Sequence, residues 1–229
     1  MSDAARSKLL ARRNRTANAH RSAWLGDNRV MEASAPTVYS LRIELLDIEP
    51  LIWRRVWVPS DVVLQRLHKV FQAVMGWQES HLHEFQFGEV RLAVPDPEGE
   101  DDKEVVDERG QRLDRLLKGG LREFQYRYDF GDGWEHRVVI EQVSAPKRLV
   151  AYPACVAGER ACPPEDVGGP HGYAELLRAL RGDQGGPDED SEAEDEQRVL
   201  WIGGFYDPEG FDVNTTNIRM AKLRRLLVT

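Results

Sequence analysis

Apolar and polar positions first alternate regularly at residue 38. In VYSLRIELLDIEP, Tyr39, Leu41, Ile43 and Leu45 fall opposite Val38, Ser40, Arg42 and Glu44, the period of two that marks a half-buried strand. Pro50 interrupts the pattern, LIWRRVWV at 51–58 resumes it and Pro59 ends it, because proline supplies no donor to a ladder. A hairpin is expected. The period then lengthens: Val63, Leu67, Val70 and Val74, widened by Leu64 and Phe71, form a helical stripe. Ser60 or Asp61 is the expected N-cap and Gly76 the expected left-handed stop. HLHEFQF returns to a period of two. Helices are further expected over 172–180 and 214–227.

The segment LREFQYRYDFGDGWEHRVVIEQV is the clearest hairpin in the chain. A three-residue loop Gly131, Asp132, Gly133 would set Phe130 across from Trp134, Tyr128 from His136, Tyr126 from Val138 and Phe124 from Ile140. One face is then aromatic and aliphatic and includes His136. The other carries Glu123, Gln125, Arg127 and Asp129 against Glu135, Arg137, Val139 and Glu141. Asp129 and His136 point to opposite sides of such a ladder, so a metal site using both would need a bulge or twist at the loop. Strand and helix signals in this order, with hairpins prominent, predict an α+β fold. It is expected to be a single domain, a mainly antiparallel sheet with helices packed on one face.

Composition adds boundaries. The 229 residues carry a net charge of −8 and 41% hydrophobic residues, enough for a sizeable core. Residues 1–35 hold seven basic and three acidic side chains, a local charge of +4 that leaves −12 for the remainder. They read as a basic, flexible N-terminal arm preceding a domain at 36–229. Two acidic stretches, 95–108 and 183–197, read as solvated loops of that domain, since like charges repel and bury little surface. An acidic chain excludes a surface that is a nucleic-acid footprint throughout. Local contacts stay open: Arg12, Arg13 and Arg15 in the arm, and Arg219, Lys222, Arg224 and Arg225 on the C-terminal helix, are the candidates for a nucleic-acid phosphate backbone or a protein partner. No run approaches 18 apolar residues and the first 20 lack the apolar core of a secretory signal. No membrane partner and a cytoplasmic location are expected.

Three groups of residues carry chemistry. In HLHEFQF, His81 and His83 share the side of Phe85 and Phe87. If that side faces the helix of residues 61–75, His81, His83 and His136 converge on one interior, with His68 beside them. Neutral imidazole is the commonest ligand of a divalent metal such as zinc; the alternative is histidines satisfied by backbone carbonyls, Tyr126, Tyr128 or Glu84. Cys155 and Cys162 have six residues between them and no second pair, which rules out a four-cysteine zinc site within the chain. They read as buried thiols or as ligands joining the histidines. Glu165 and Asp166 hang from the rigid loop CPPEDVGGP, and with Asp132 they are the candidate catalytic carboxylates.

The segments IEPLIWRRVWVPSDVVLQRLHKVFQAVMGWQESHLHEFQFG, YRYDFGDGWEHRVVIE, CPPEDVGGPHGY and GGFYDPEGFDVNTTN together resemble the plasmid pRiA4b ORF-3-like family over roughly residues 38–227. The resemblance implies an α+β fold and an association with plasmids and mobile elements, among them an insertion-element passenger protein once labelled a resolvase. It implies no assigned reaction. Nothing in the sequence resembles a recombinase nucleophile segment, and no helix-turn-helix stands out. Two functional classes follow. One is a binding module for a protein or nucleic acid. The other is a metal-dependent hydrolase or nuclease that uses the histidines with Glu165, Asp166 or Asp132 to generate a nucleophilic water.

Overall fold

A computed structural model describes residues 35–95, 105–182, 189–203 and 206–226. The basic arm, with Arg12, Arg13 and Arg15, lies outside the described residues. Ten strands are described: β1 (Val38–Leu45), β2 (Ile52–Pro59), β3 (His83–Phe87), β4 (Val90–Ala93), β5 (Val105–Asp107), β6 (Glu123–Tyr128), β7 (Trp134–Ser144), β8 (Ala151–Tyr152), β9 (Ala154–Glu159) and β10 (Arg225–Leu226). The helices are α1 (Leu64–Met75), the single-turn α2 (Leu113–Leu116), α3 (Gly169–Arg181), α4 (Glu189–Trp201) and α5 (Val213–Arg219), the last running into a 3-10 turn at Met220–Leu223.

Eight strands form one sheet in the order β5-β4-β3-β6-β7-β1-β2-β9. Every pairing is antiparallel except β4 with β5. The expected α+β class is observed, and β1 and β2 form the expected hairpin. The inner face follows from the alternation: Leu41, Ile43, Leu45, Ile52, Val56, Val58, Phe85, Phe87, Phe124, Tyr126, Tyr128, Trp134 and Val138 are buried and meet the stripe Leu64, Leu67, Phe71 and Val74 of α1. A register shift between Ser40 and Leu41 lets Val38 and Ser40 join the buried set before the phase changes. Burying the larger of these side chains stabilises the fold by about 1.5–3 kcal/mol each. The outer face is charged, with Arg55 bonded to Glu141 and Arg137 to Glu123, and Arg42 lies 4.1 Å over the Trp53 ring.

Several expectations change. The N-cap of α1 is the extended Val63, not Ser60 or Asp61. Ser60 accepts from Thr37 and Asp61 pairs with Arg225, so tertiary partners take both side chains. Gly76 ends the helix at φ +95°, as expected. The β6–β7 connection is two residues longer than expected, with Tyr128 across from Trp134, Tyr126 from His136 and Phe124 from Val138. The turn spans residues 129–133, and Phe130 is exposed rather than paired. A shift of two preserves parity, so the two faces stand as read.

Of the acidic stretches, residues 96–104 and 183–188 lie outside the described residues, and much of the remainder is regular structure. Val105–Asp107 adds β5 to the sheet, Glu108 is almost fully buried, and Glu189–Trp201 is a helix. The C-terminal helix is short: Asp212 caps it by accepting from Thr215, it stops at Arg219, and Arg225–Leu226 pairs with Ala151–Tyr152 instead.

Candidate metal centre

The site is assembled where the turn of the β6–β7 hairpin meets the loop leading into α3. Asp129 leaves the strand with φ +55°; its carboxylate accepts from the backbone N–H groups of Gly131 (3.0 Å) and Asp132 (3.3 Å), the turn-forming habit of aspartate. Asp132 in turn accepts from the N–H of Gly168 at 3.2 Å. Gly169, at φ +68°, sits so close to this turn that a Cβ there would fall 2.3 Å from the Asp132 carbonyl oxygen. Glycine is required because hairpin turn and helix start share the same space.

The loop between α1 and β3 closes the site. Trp77 stacks on Tyr128 with ring centroids 5.0 Å apart and donates from Nε1 to the Pro163 carbonyl at 2.9 Å. Glu165 braces the same region: one oxygen accepts from the Tyr128 hydroxyl at 2.5 Å and the other from the Gln78 N–H at 2.9 Å. Burial first, then this carboxylate, holds the Tyr128 hydroxyl well above its ordinary pKa. The phenol is thus a fixed neutral donor.

On this platform His81, Asp129 and Asp166 come together, each presenting one ligand atom within 4.8 Å of the others. His81 Nε2 is 2.9 Å from Asp166 Oδ1 and 3.5 Å from Asp129 Oδ2. It is shielded from water and makes no well-aligned hydrogen bond. Asp129 is buried, whereas the Asp166 side chain is 67% exposed, so one flank opens to solvent. Leu82 and Phe130, 69% and 45% exposed, follow His81 and Asp129 in sequence. One imidazole and two carboxylates suit zinc, manganese or magnesium, and three protein ligands leave coordination positions free. The residues present therefore fit a divalent cation.

The other expected ligands go elsewhere. His81 precedes β3, which begins at His83, so the strand alternation does not extend to it. His83 bonds to Glu108 at 3.0 Å and stacks on His68, centroids 3.6 Å apart. His68 meets the Tyr126 hydroxyl at 2.7 Å, and burial, His83 and Lys69 lower its pKa to about 3. His136 is fully buried, its Nδ1 3.1 Å from the Tyr126 carbonyl, with a pKa lowered by burial to about 4.

The expected convergence of His81, His83 and His136 as metal ligands does not occur among the described residues. The cysteines are not part of a metal cluster there either. Cys155 is buried beside the C-terminal helix, its backbone N–H and carbonyl both bonded to the Asn217 side chain. Cys162 lies 2.9 Å from the Met75 sulfur and 3.5 Å from the buried Arg54 guanidinium. Burial pushes both thiols up, which disfavours the thiolate a metal needs.

Of the carboxylates, Asp166 enters the cluster, while Glu165 and Asp132 brace it. Asp129 is the member of the cluster that alternation hides. The DFGDG turn is the available signal, since aspartate tolerates the left-handed region that takes a side chain off its ladder. The C-terminal cations do not form one basic face: Arg224 bonds to Asn217 and Arg225 to Asp61. Arg219 lies against Gly76, and Lys222 is exposed in the 3-10 turn.

Fold and site together define an α+β domain whose sheet supports a histidine–carboxylate cluster at one hairpin end. Residues 37–215 match the family described as plasmid pRiA4b ORF-3-like protein. The chain belongs to that family. It is 43% identical over 144 residues to the uncharacterized protein y4hQ of Sinorhizobium fredii (strain NBRC 101917 / NGR234), spanning 63% of this chain and 73% of that protein. The crystal structure of MM3350, a protein of unknown function from Methanosarcina mazei Go1, superimposes with a TM-score of 0.68 at 36% identity, covering 79% of this chain and 98% of the other. Among the described residues no helix is long and apolar enough to cross a membrane.

Proposed function

We propose that this protein is a divalent-metal-dependent hydrolase centred on His81, Asp129 and Asp166. The observation that carries the reading is the His81 imidazole nitrogen, shielded from water and flanked by two carboxylate oxygens without an aligned hydrogen bond. A bound divalent ion would supply a Lewis acid and lower the pKa of a coordinated water. Asp129 is held by two backbone N–H groups, Asp166 faces solvent where a substrate can approach, and Glu165 and Asp132 keep the two loops in register. Substrate access and open coordination favour a catalytic over a structural ion.

Elemental analysis of untagged protein, followed by zinc and manganese titration calorimetry, tests this. Roughly stoichiometric binding is expected. His81→Ala and Asp129→Asn should each weaken it at least about tenfold, while His83→Gln leaves it unchanged. A wild-type protein that binds no divalent ion, or a His81→Ala variant that binds as well, overturns the proposal. Release of nitrophenol from simple nitrophenyl esters and phosphodiesters, abolished by the same substitutions, would then establish catalysis.

The binding-module reading rests on the seven basic residues of the arm, and it keeps the association with plasmids and mobile elements as its context. Deleting residues 1–35 should then lower retention of DNA or RNA and flatten its salt dependence. Unchanged retention would remove the arm from consideration.

A further inference from the structure

Between α3 and α4 lies a cleft of about 340 Å³, lined by Asp166, Val167 and Leu176 on one side and by Glu194, Gln197, Arg198 and Trp201 on the other. The volume falls within the range of small-molecule sites. The α4 residues recur at helical spacing, so a single helix face forms that wall. Leu176 and Val167 are buried, while Trp201 is 54% exposed at the end of its helix.

Charge and ring chemistry select the occupant. Arg198 is neutralised by Glu175 at 2.5 Å. The Glu194 carboxylate has no partner among the described residues, and Asp166 adds a second carboxylate at the opposite side. The wall is therefore net acidic, within a domain of charge −12 outside the arm, a field that concentrates cations.

Trp201 makes no hydrogen bond, ring contact or cation contact among the described residues. Other aromatic side chains at the surface behave differently. Trp53 is covered by Arg42 at 4.1 Å, Trp57 by Lys147 at 3.8 Å and Phe130 by Arg127 at 5.2 Å. An exposed tryptophan face beside two carboxylates, over an apolar floor, is the pairing that receives an organic cation.

We propose that this cleft is a binding site for an alkylguanidinium or alkylammonium group. The charged head lies over Trp201 between Glu194 and Asp166, and the aliphatic stem rests on Leu176 and Val167. The ligand is a free amine or the side chain of a basic residue; the chemistry recognised is the same. The site borders the metal centre at Asp166 but does not require it.

Calorimetry on the full chain, with EDTA present, uses three probes: agmatine, its neutral analogue N-butylurea, and a capped Gly-Arg-Gly peptide. Agmatine or the peptide should bind at least about fivefold more tightly than N-butylurea, since the neutral probe forfeits both the cation–aromatic contact and the attraction of the carboxylates. The tighter of the two identifies the source. Trp201→Ala and Glu194→Gln should each weaken binding about fivefold to tenfold, and His83→Gln, which lies in neither site, should leave it unchanged. Both altered side chains are surface groups, and far-UV circular dichroism checks that the helix persists. The proposal is overturned if N-butylurea binds equally, or if neither cleft variant matters. It is also overturned if His81→Ala abolishes binding while Trp201→Ala does not, because the cation then belongs to the metal centre. Failure of the metal proposal leaves these results unaffected.

Discussion

Arg54 is buried in β2 and forms no ion pair among the described residues. Its guanidinium instead donates to the carbonyls of Trp53, Val74 and Glu159 and approaches Cys162 Sγ, with the Phe211 ring 4.3 Å below. A planar fork can satisfy acceptors on three elements at once, which a lysine ammonium cannot. Arg54→Met should cost about 3 kcal/mol in urea unfolding, because it strands buried carbonyls, and Arg54→Lys should recover less than half of that. A loss under about 1 kcal/mol for Arg54→Met would show that water replaces the guanidinium.

The site glycines act between elements. Gly169 lacks room for a Cβ against Asp132, and a Cβ on Gly172 would fall 2.0 Å from the Val167 carbonyl oxygen. Gly169→Ala combines a left-handed backbone with that overlap, so a loss of about 3 kcal/mol or more is expected on thermal or urea unfolding. If the loops move apart instead, unfolding changes little while divalent-ion affinity falls. Unaltered stability together with unaltered affinity would contradict the tight fit.

The same elements show what the sequence made legible. The faces of β6 and β7 were readable because alternation survives a two-residue change of register. The turn length was not, because Asp129 breaks the ladder through a local hydrogen bond to Gly131. The period of two puts His81 and His83 on the same inward side; this holds for His83, whereas His81 lies before β3, with one residue of loop between. The C-terminal segment carried a helical stripe, yet Arg225 and Leu226 pair with β8. That is a tertiary preference no local period encodes. In the histidine–carboxylate cluster, His81 and Asp166 are among the residues the sequence offers, whereas the strand period places Asp129 on the side opposite His136.

For the molecule as a whole, the buried imidazoles set a pH dependence. His68 and His136 have folded pKa values of about 3 and about 4, below the roughly 6.5 of an unfolded chain. Between about pH 6.5 and 4 the unfolded state therefore takes up protons that the folded state refuses, and stability falls as acid is added through that window. Above it these two groups contribute no slope. Each approaches about 1.4 kcal/mol per pH unit at its steepest. Urea unfolding of His136→Leu at pH 7, 6 and 5 should give a visibly flatter dependence than the unaltered protein; equal slopes would mean that His136 is protonated when folded.

The two borders of the large sheet have a consequence for self-association. One outermost strand, β5, is only three residues long, and the other, β9, is shifted out of register against β2 between Arg55 and Val56. A bare border invites a second chain to add its own backbone, and brevity and irregularity both remove the straight row of donors and acceptors such growth needs. Self-association by border-to-border extension of the sheet is thus disfavoured by construction.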